Sequence, residues 1–459
     1  MFSKEIPRRH DIQNSGEKLM IRSKVAVTKY RKPLESLRQC VEMSEGFQNL
    51  PKAAKVFIKP NIVLWSDVAD FPKWGMITTS RVVEDVVTIL AERGVSDISI
   101  GEGPVLLDPK DRDVTDRAFA GLGYQSLRKR YGVKLLNLHR LSYERINLGD
   151  GVDLNFSSDF VSSDFIVNVP VLKTHSQTVV SLGIKNLKGV IDVKSRKMCH
   201  SADPKKDLHY MVAMLANALP RALTILDGIY TNERGPGFDG KMRRSDLLVV
   251  SSDVLAADKV GATLLGYSPS DVPHLVHAAA NQNRPVDLSD VELAGESIDD
   301  LKLKLQYEFS YNDTNNLPLF MAKKGIQGIS IPKPDTTLCT YCFTMTGIII
   351  GSIAQAWDGK PWEGVEVLTG KIMRPTPGMN RTILIGKCMY QANRNNPDIK
   401  EMIAIKTCPP SKKEVVKALK EAGIAVKPAL IEHPENAPSL SYKKYLGNTE
   451  FDESFFTIR

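Results

Sequence analysis

The sequence lacks the features that would assign it to a membrane or to an exported protein. Its longest apolar run, GIIIGSIAQAW from Gly347, falls well short of the about 20 residues that a membrane-spanning helix needs. The N-terminus carries Arg8 and Arg9, but no apolar segment follows them, which argues against a secretory or twin-arginine signal. We therefore expect a cytoplasmic protein that makes no membrane contact and keeps its thiols reduced.

The sequence also lacks a strong charge bias, an internal repeat and a low-complexity block. Its 61 Lys and Arg residues against 53 Asp and Glu residues give a net charge of +8, which is too small to predict a nucleic-acid partner. Such an excess indicates either an ordinary solvated surface or a face that binds an anion. A chain of 459 residues with 42% apolar content predicts two or three globular domains.

Short β-branched runs alternate with helical patterns over the first 300 residues. Examples are the strand-like SKVAVTKY and AAKVFIKPNIV, and the amphipathic SRVVEDVVTILAERG between two further strand-like runs. This alternation predicts an α/β fold with a mainly parallel sheet. A polar stretch (299–316) sets a boundary near residue 315. We predict an N-terminal α/β domain at 1–315 with its core at 50–275, a smaller α/β domain at 316–428, and a C-terminal tail at 429–459.

Four of the six cysteines lie in the last third of the chain, with the spacing C-x2-C-x45-C-x19-C: Cys339, Cys342, Cys388 and Cys408. The last two each end a strand-like run, and the first two follow a proline-rich loop. Because the carboxyl ends of parallel strands meet at one sheet edge, three loops could bring the four thiolates together. A [4Fe–4S] cluster and zinc both accept four cysteines, and the residues alone also allow unliganded thiols.

The segments CTYC, IGKCM and KTCPPSKKEVVKAL resemble the cluster-binding loops of the small subunits of NiFe hydrogenases and respiratory NADH dehydrogenases. Thr407 stands where those families have glycine. The resemblance implies a flavodoxin-like sheet and one [4Fe–4S] cluster held by the four cysteines. A cluster with four cysteine ligands usually carries electrons instead of binding substrate.

Polar residues end several predicted strands of the N-terminal domain, where ligands bind in α/β folds. They occur in FIKPN, GEGP, PVLKTH, GIKNLKG and ILDG. Several lysines with a histidine favour an anion such as a carboxylate or a phosphate. We predict catalytic roles for Lys173, His175 and Lys185. We predict substrate binding by Lys59, Asn61, Glu102, Asn186, Lys188 and Asp227.

The stretches FIKPNIV, ISIGEGP, VPVLKTHSQTVVSLGIKNLKGVI, ILDGIYTNERGPGFDG and SSDVLAADKVGATLLG resemble the domain-of-unknown-function 362 family, over roughly residues 50 to 275. Many members of that family carry an iron–sulfur module beside this domain. The resemblance therefore implies an iron–sulfur association, although it names no reaction.

These expectations combine into an iron–sulfur oxidoreductase. Its N-terminal domain would bind an anionic small molecule or a protein-bound anion, and its cluster would pass electrons singly, with a redox protein as a further partner. Two alternatives remain at this point. The chain could be a non-catalytic electron-transfer or docking module of a larger redox enzyme, or a non-redox, isomerase-like enzyme with a structural cluster.

Overall fold

A computed structural model describes residues 22–458, which contain sixteen β-strands. The strands are β1 (Ser23–Lys29), β2 (Lys55–Pro60), β3 (Asp97–Glu102), β4 (Lys134–Asn137), β5 (Tyr143–Asn147), β6 (Asp153–Ser157), β7 (Phe165–Val169), β8 (Val171–His175), β9 (Val179–Ser181), β10 (Ala222–Glu233), β11 (Lys241–Ser251), β12 (Val291–Gly295), β13 (Ile329–Ser330), β14 (Val365–Leu368), β15 (Arg381–Leu384) and β16 (Glu401–Ala404).

The same residues form seventeen α-helices, joined by a few short 3-10 turns. The helices are α1 (Glu35–Met43), α2 (Ser80–Glu92), α3 (Val114–Gly121), α4 (Tyr124–Tyr131), α5 (Ser158–Val161), α6 (Gly183–Asn186), α7 (Val193–Met198), α8 (Leu208–Met214), α9 (Val254–Leu264), α10 (Pro273–Asn281), α11 (Ile298–Leu301), α12 (Leu319–Lys323), α13 (Thr340–Ala356), α14 (Lys387–Asn393), α15 (Lys412–Glu421), α16 (Pro428–Glu432) and α17 (Ala437–Tyr442).

A ten-stranded sheet forms the centre of the N-terminal part, in the order β12-β1-β11-β10-β7-β2-β3-β4, with β8 paired to β10 and β9 paired to β8. Most pairs are parallel, as the alternating pattern predicts, but β11 is antiparallel to both of its neighbours. Alternate residues of β2 enter different cores, since Val56 and Ile58 pack on one face of the sheet and Phe57 on the other. Helices therefore cover both faces, which confirms the α/β class.

A second sheet follows in chain order, β13-β14-β15-β16, and all its pairs are parallel. Its own hydrophobic core runs from Leu317 to Ile431. The tail beyond this core returns to the N-terminal part, where Tyr445, Phe456 and Ile458 enter the first core. Among the helices of residues 22–458, none combines the length and the apolarity that crossing a membrane requires.

Two continuous segments of the sequence each form two elements. RAFAGLGYQSLRKRYG forms α3 and α4, because Gly123 takes a left-handed φ of 76° between them. SDFIVNVPVLK contains β7 and β8, separated by Pro170, which has no N–H to donate to a neighbouring strand. β7 and β8 keep the same direction, since both run parallel to β10.

The apolar run from Gly347 belongs to α13, a 17-residue helix that begins directly after Cys339. The sequence analysis placed the cysteine pair after a loop and assigned no helix to this run. In the structure Ile349 and Ile353 are buried in the core of the second sheet, one helical turn apart. The first cysteine pair therefore lies at a helix N-terminus.

A buried ion pair joins α9 to the segment that precedes β12. The Nζ of Lys259 donates to Asp290 Oδ1 at 2.7 Å, and the two side chains are 0% and 3% exposed. Arg284 Nε also donates to Asp290, at 2.7 Å. Asp290 therefore neutralises two cations at the end of the large sheet.

We expect Asp290→Asn to lower the free energy of unfolding by about 3 kcal/mol, because Lys259 then stays buried without its counter-charge. The measurement is the midpoint of guanidinium unfolding. Glu296→Gln is the matched control: Glu296 pairs with Arg31, and their side chains are 40% and 75% exposed. Glu296→Gln should lower the free energy of unfolding by less than about 1 kcal/mol. Equal midpoints for the two variants would contradict this account.

Candidate functional site

A buried ion pair, Lys59 with Glu102, fixes the ends of the neighbouring strands β2 and β3. Their side chains are 0% and 2% exposed, and Lys59 Nζ lies 2.6 Å from Glu102 Oε2. Lys59 also donates to the carbonyl of Pro60 at 2.6 Å and to Asn186 Oδ1 at 3.2 Å. Burial lowers the pKa of Lys59, and the charge of Glu102 opposes that change. All three donors of Lys59 are therefore occupied within the protein.

The polar atoms of Glu102 and Asn186 also have hydrogen-bonding partners within the protein. Glu102 accepts the backbone N–H groups of Ile62 at 3.0 Å and Gly103 at 2.8 Å. Asn186 donates to Asn168 Oδ1 at 2.8 Å and to the Lys59 carbonyl at 3.2 Å. The structure brings these predicted substrate ligands together, but it gives their polar atoms partners inside the fold.

Gly189, the last residue of the KNLKG motif, allows this close packing. A Cβ atom at this position would lie 2.3 Å from Glu102 Oε1 and 2.5 Å from Lys59 Nζ. Any side chain here would displace the ion pair. The glycine is therefore required for the 3-10 turn at Leu187–Val190 to lie against the ends of β2 and β3.

Asp227 lies apart from the predicted lysines. Its carboxylate accepts the N–H of Thr79 at 2.7 Å and the N–H of Ile229 at 3.2 Å. Burial raises its pKa to about 6, against the hydrogen bonds that lower it. Asp227 therefore supports the start of α2, and within residues 22–458 it forms no ion pair.

Lys173 and Asn61 meet beside the ion pair. Lys173 Nζ donates to Asn61 Oδ1 at 2.6 Å and to the Met76 carbonyl at 2.8 Å. Burial lowers the pKa of Lys173 to about 7, and the charge of Lys59 adds to that shift. Lys173 therefore changes charge near neutral pH, unlike an exposed lysine.

His175, Lys185 and Lys188 lie close to Lys173, together with His200. Burial lowers the pKa of His175, and the charges of Lys185, Lys188 and Lys173 lower it further. His175 Nδ1 accepts the N–H of Gln177 at 3.1 Å, so the ring proton lies on Nε2. We call the set Lys173, His175, Lys185, Lys188 and His200 the basic group.

Within the part of the chain that the structure describes, Lys185 has no hydrogen-bonding partner, and no carboxylate pairs with a member of the basic group. Burial lowers the pKa of Lys185 well below its ordinary value, and the charges of Lys188 and Lys173 add to this shift. Lys185 and Lys188 are partly exposed, so solvent reaches the group. A bound anion would raise these pKa values and stabilise the protonated lysines, so the group favours an anionic ligand.

His200 is a member that the sequence analysis did not assign. Its Nε2 lies 3.0 Å from Lys188 Nζ, and its Nδ1 lies 2.9 Å from the carbonyl of Thr336. The second contact requires a proton on Nδ1, which leaves Nε2 to accept from Lys188. Burial lowers the pKa of His200 well below its ordinary value. KMCHSAD offered no periodicity from which this buried position could be predicted.

A hydrogen bond from His200 therefore connects the basic group to residues 335–338, the loop that leads into the cysteine pair. Gln177 Nε2 adds hydrogen bonds to the carbonyls of Asp335 at 3.2 Å and Leu338 at 2.9 Å. The negative charge of Cys339 acts on the pKa of Lys188, although burial is the larger cause of its lowered value. The two predicted sites are neighbours across the boundary between the two sheets.

The three cysteine-bearing segments converge at Gly386. A Cβ atom on this glycine, whose φ is +89°, would lie 3.4 Å from Pro410 Cγ and 3.6 Å from Cys342 Sγ. Cys342 and Cys388 lie in the first turns of α13 and α14. Thr407 Oγ1 donates to Glu414 at 2.7 Å and accepts from Ser411 N at 2.9 Å, so it supports the start of α15.

Mutual electrostatic effects also indicate that the thiols face one another. The Cys342 thiol and nearby N–H groups lower the pKa of Cys339. Conversely, contact with Cys339 and burial raise the pKa of Cys342, and the charges of Cys408 and Cys388 add to that increase. Burial raises the pKa of Cys388, with further increases from Cys408 and Cys339. Cys388 and Cys408 are exposed, whereas the other two are partly buried.

Two kinds of metal centre accept four cysteine thiolates, and we call the four candidates the cysteine set: Cys339, Cys342, Cys388 and Cys408. Among residues 22–458, no three His, Cys, Asp or Glu side chains are close enough together to hold one metal ion. A single zinc ion would draw its thiolates to about 2.3 Å from one point. A [4Fe–4S] cluster is larger and binds each thiolate at a separate iron, so its four thiolates lie farther apart than those of a zinc ion.

Comparisons with known proteins bear on the N-terminal part. Residues 56–263 match the family model described as "Domain of unknown function (DUF362)". The thylakoid-associated protein sll1697 of Synechocystis is 29% identical over 245 residues, which cover 52% of this chain and 72% of that protein. Every residue that the sequence analysis assigned to anion binding lies within the family match, and the four cysteines lie outside it. Residues 56–263 are thus similar to a domain family whose own description names no activity.

Proposed function

We propose that this protein is an iron–sulfur oxidoreductase, which binds an anionic molecule at the basic group and transfers electrons through a [4Fe–4S] cluster. The observation that carries the proposal is the pair of contacts made by His200. Its Nε2 meets Lys188 of the basic group, and its Nδ1 meets Thr336, three residues before Cys339. One buried side chain thus links the anion site to the cysteine set.

The chain's own residues define what the anion site does. Lys59 and Glu102 neutralise each other and hold the strand ends, and Asn186 fixes the turn above them. The remaining cations, Lys173, Lys185 and Lys188, supply positive charge to a bound carboxylate or phosphate. His175 carries its proton on Nε2, the atom that can donate a hydrogen bond to the anion.

The cysteine set would hold the cluster, which supplies one-electron transfer when it is bound. The N-terminus of α13 stabilises the thiolate of Cys339 through the backbone N–H groups of Tyr341 and Cys342. Lys197 Nζ, from the N-terminal part, lies 3.7 Å from Cys408 Sγ and adds positive charge beside the fourth thiol. A reducing compartment such as the cytoplasm suits exposed cysteines of this kind.

A second candidate is a non-redox enzyme of the isomerase class, with a structural cluster. The lowered pKa of Lys185 favours it, because a neutral amine can accept a proton near neutral pH. Catalysis that survives removal of the cysteine ligands would support this candidate against the first.

We expect Cys408→Ser to lose the absorbance at about 400 nm and to bind fewer than the ~4 iron atoms per chain of one cluster. Anaerobic purification, iron and sulfide assays and reduced-state EPR provide the measurement. Cys40→Ala is the matched control, because Cys40 is buried in the first core, outside the cysteine set. Full iron content in Cys408→Ser would show that the ligand set is wrong.

We expect sulfate binding to weaken as the pH rises through about 7. The folded-state pKa of Lys173 lies near 7, below its ordinary value, so the attractive ammonium form is present below this pH and lost above it. The affinity for sulfate, whose own charge is constant here, should fall by up to about tenfold per pH unit above 7. Isothermal titration calorimetry at pH 6, 7 and 8 measures it.

Lys173→Met should bind sulfate more weakly at pH 6 and should have a flatter pH profile. Lys323→Met, which changes an exposed lysine at the end of α12, should behave as the unchanged protein does. If all three proteins bind sulfate alike at every pH, the basic group is not the anion site.

A further inference from the structure

The surface around the exposed edge of the cysteine set is mostly basic, with Glu414 beside Thr407 as an acidic neighbour. Four segments form this edge: 194–200, 371–374, 386–394 and 406–413. They contain ten lysines and arginines and no aspartate or glutamate. The cysteine loop at 336–342 has no charged residue. Much of the chain's small positive excess is therefore concentrated around Cys388 and Cys408.

Contacts hold these segments together beside the thiols. Lys197 Nζ lies 3.7 Å from Cys408 Sγ and 4.9 Å from the centre of the Tyr341 ring. Lys371 Nζ donates to the carbonyl of Lys197 at 3.3 Å and to that of His200. Lys406 Nζ lies 4.6 Å from the centre of the ring of Tyr390, which belongs to α14. Lys387 and Lys406 are both exposed and flank the exposed cysteines.

Two exposed apolar side chains lie within this basic surface. Met198 is 45% exposed and Ile372 is 47% exposed. The Lys371–Lys197 hydrogen bond joins the two segments that carry them. A small apolar centre with a charged rim is the usual anatomy of a protein interface. We call this surface, defined by Lys197, Met198, Lys371, Ile372, Lys387 and Lys406, the docking face.

We infer that the docking face binds a small acidic protein that carries one electron. The inference rests on the proposed function and deepens it by naming the class of redox partner. One electron leaves the reduced carrier and enters the oxidised cluster, so the carrier is oxidised, the cluster is reduced, and no bond forms or breaks. The exposed position of Cys388 and Cys408 brings such a carrier close to the cluster.

Charge complementarity argues for this partner. Opposite charges across an interface steer association and raise its rate, while a small contact area allows rapid release. An acidic face on the carrier would meet the exposed Lys387 and Lys406, and its apolar contacts would meet Met198 and Ile372. A phospholipid surface shares the negative charge but has no electron to deliver, so it serves as the rival outcome.

The test measures the rate at which a reduced, acidic plant-type ferredoxin reduces the full-length, cluster-containing protein in anaerobic stopped flow. The second-order rate constant should fall at least about tenfold as the salt concentration rises from about 20 mM to about 300 mM. The double variant Lys387→Glu/Lys406→Glu should lose at least about tenfold at low salt and respond little to added salt.

Lys323→Glu/Lys360→Glu is the matched control. Lys323 and Lys360 lie near the far end of α13, roughly 25 Å from Cys339 by the length of that 17-residue helix. This control should keep the rate and its salt dependence. EPR-monitored redox titration should give similar midpoint potentials for the unchanged protein, the docking-face variant and the control. A slower reduction of the docking-face variant then reflects weaker association with ferredoxin and not a changed potential.

The outcomes separate the two proposals. Equal rates for the docking-face variant and the control, with iron content intact, would overturn the docking face and leave the proposed function standing. Absence of iron from the unchanged protein would overturn both. If the variant loses binding to phosphatidylglycerol vesicles while its ferredoxin rate stays unchanged, the face binds membrane and the carrier inference is wrong.

Discussion

The buried ion pair of Lys59 and Glu102 is the interaction on which the candidate site depends. Two charges removed from water are destabilising unless hydrogen bonds satisfy both. Here Lys59 makes three such bonds, and Glu102 also accepts two backbone N–H groups. Gly189 leaves just enough space for the turn that covers the pair. The pair thereby fixes the relative positions of two strand ends and the KNLKG turn.

This neutral ion pair contrasts with the neighbouring lysines, which have no counter-charge within residues 22–458. Lys173, Lys185 and Lys188 share one small region, and in the described chain no carboxylate pairs with them. Such crowding opposes folding, and it is the kind of local strain that proteins keep at functional sites. The cysteine loop lies beside this region, since His200 contacts both Lys188 and the Thr336 carbonyl. The basic group and the cysteine set are thus neighbours.

The C-terminal tail adds a second connection between the two parts of the protein. The Tyr442 ring stacks on Trp74 with a centroid separation of 5.7 Å, and Tyr230 donates a hydrogen bond to the Glu450 carbonyl at 3.0 Å. Trp74 lies two residues before Met76, whose carbonyl accepts from Lys173. The tail therefore packs against the segment that supports the basic group, while His200 and Gln177 tie the cysteine loop to the same region.

The sequence by itself determined the fold class and the types of residue at each site. Alternating strands and helices, polar strand ends and the cysteine spacing are local patterns, and local patterns are what a sequence displays directly. It also predicted that Lys173, His175 and Lys185 contribute to one site, since PVLKTH and GIKNLKG were expected at strand ends of one sheet.

Only the tertiary structure decided which of these residues are satisfied within the fold. Lys59, Glu102, Asn186 and Asp227 look like ligands in the sequence, yet their partners come from distant segments such as Thr79 and Asn168. The same applies to His200, whose role arises because its two nitrogens meet residues 12 and 136 positions away. Hydrogen-bond satisfaction and burial depend on contacts between remote parts of the chain, and no local pattern encodes them.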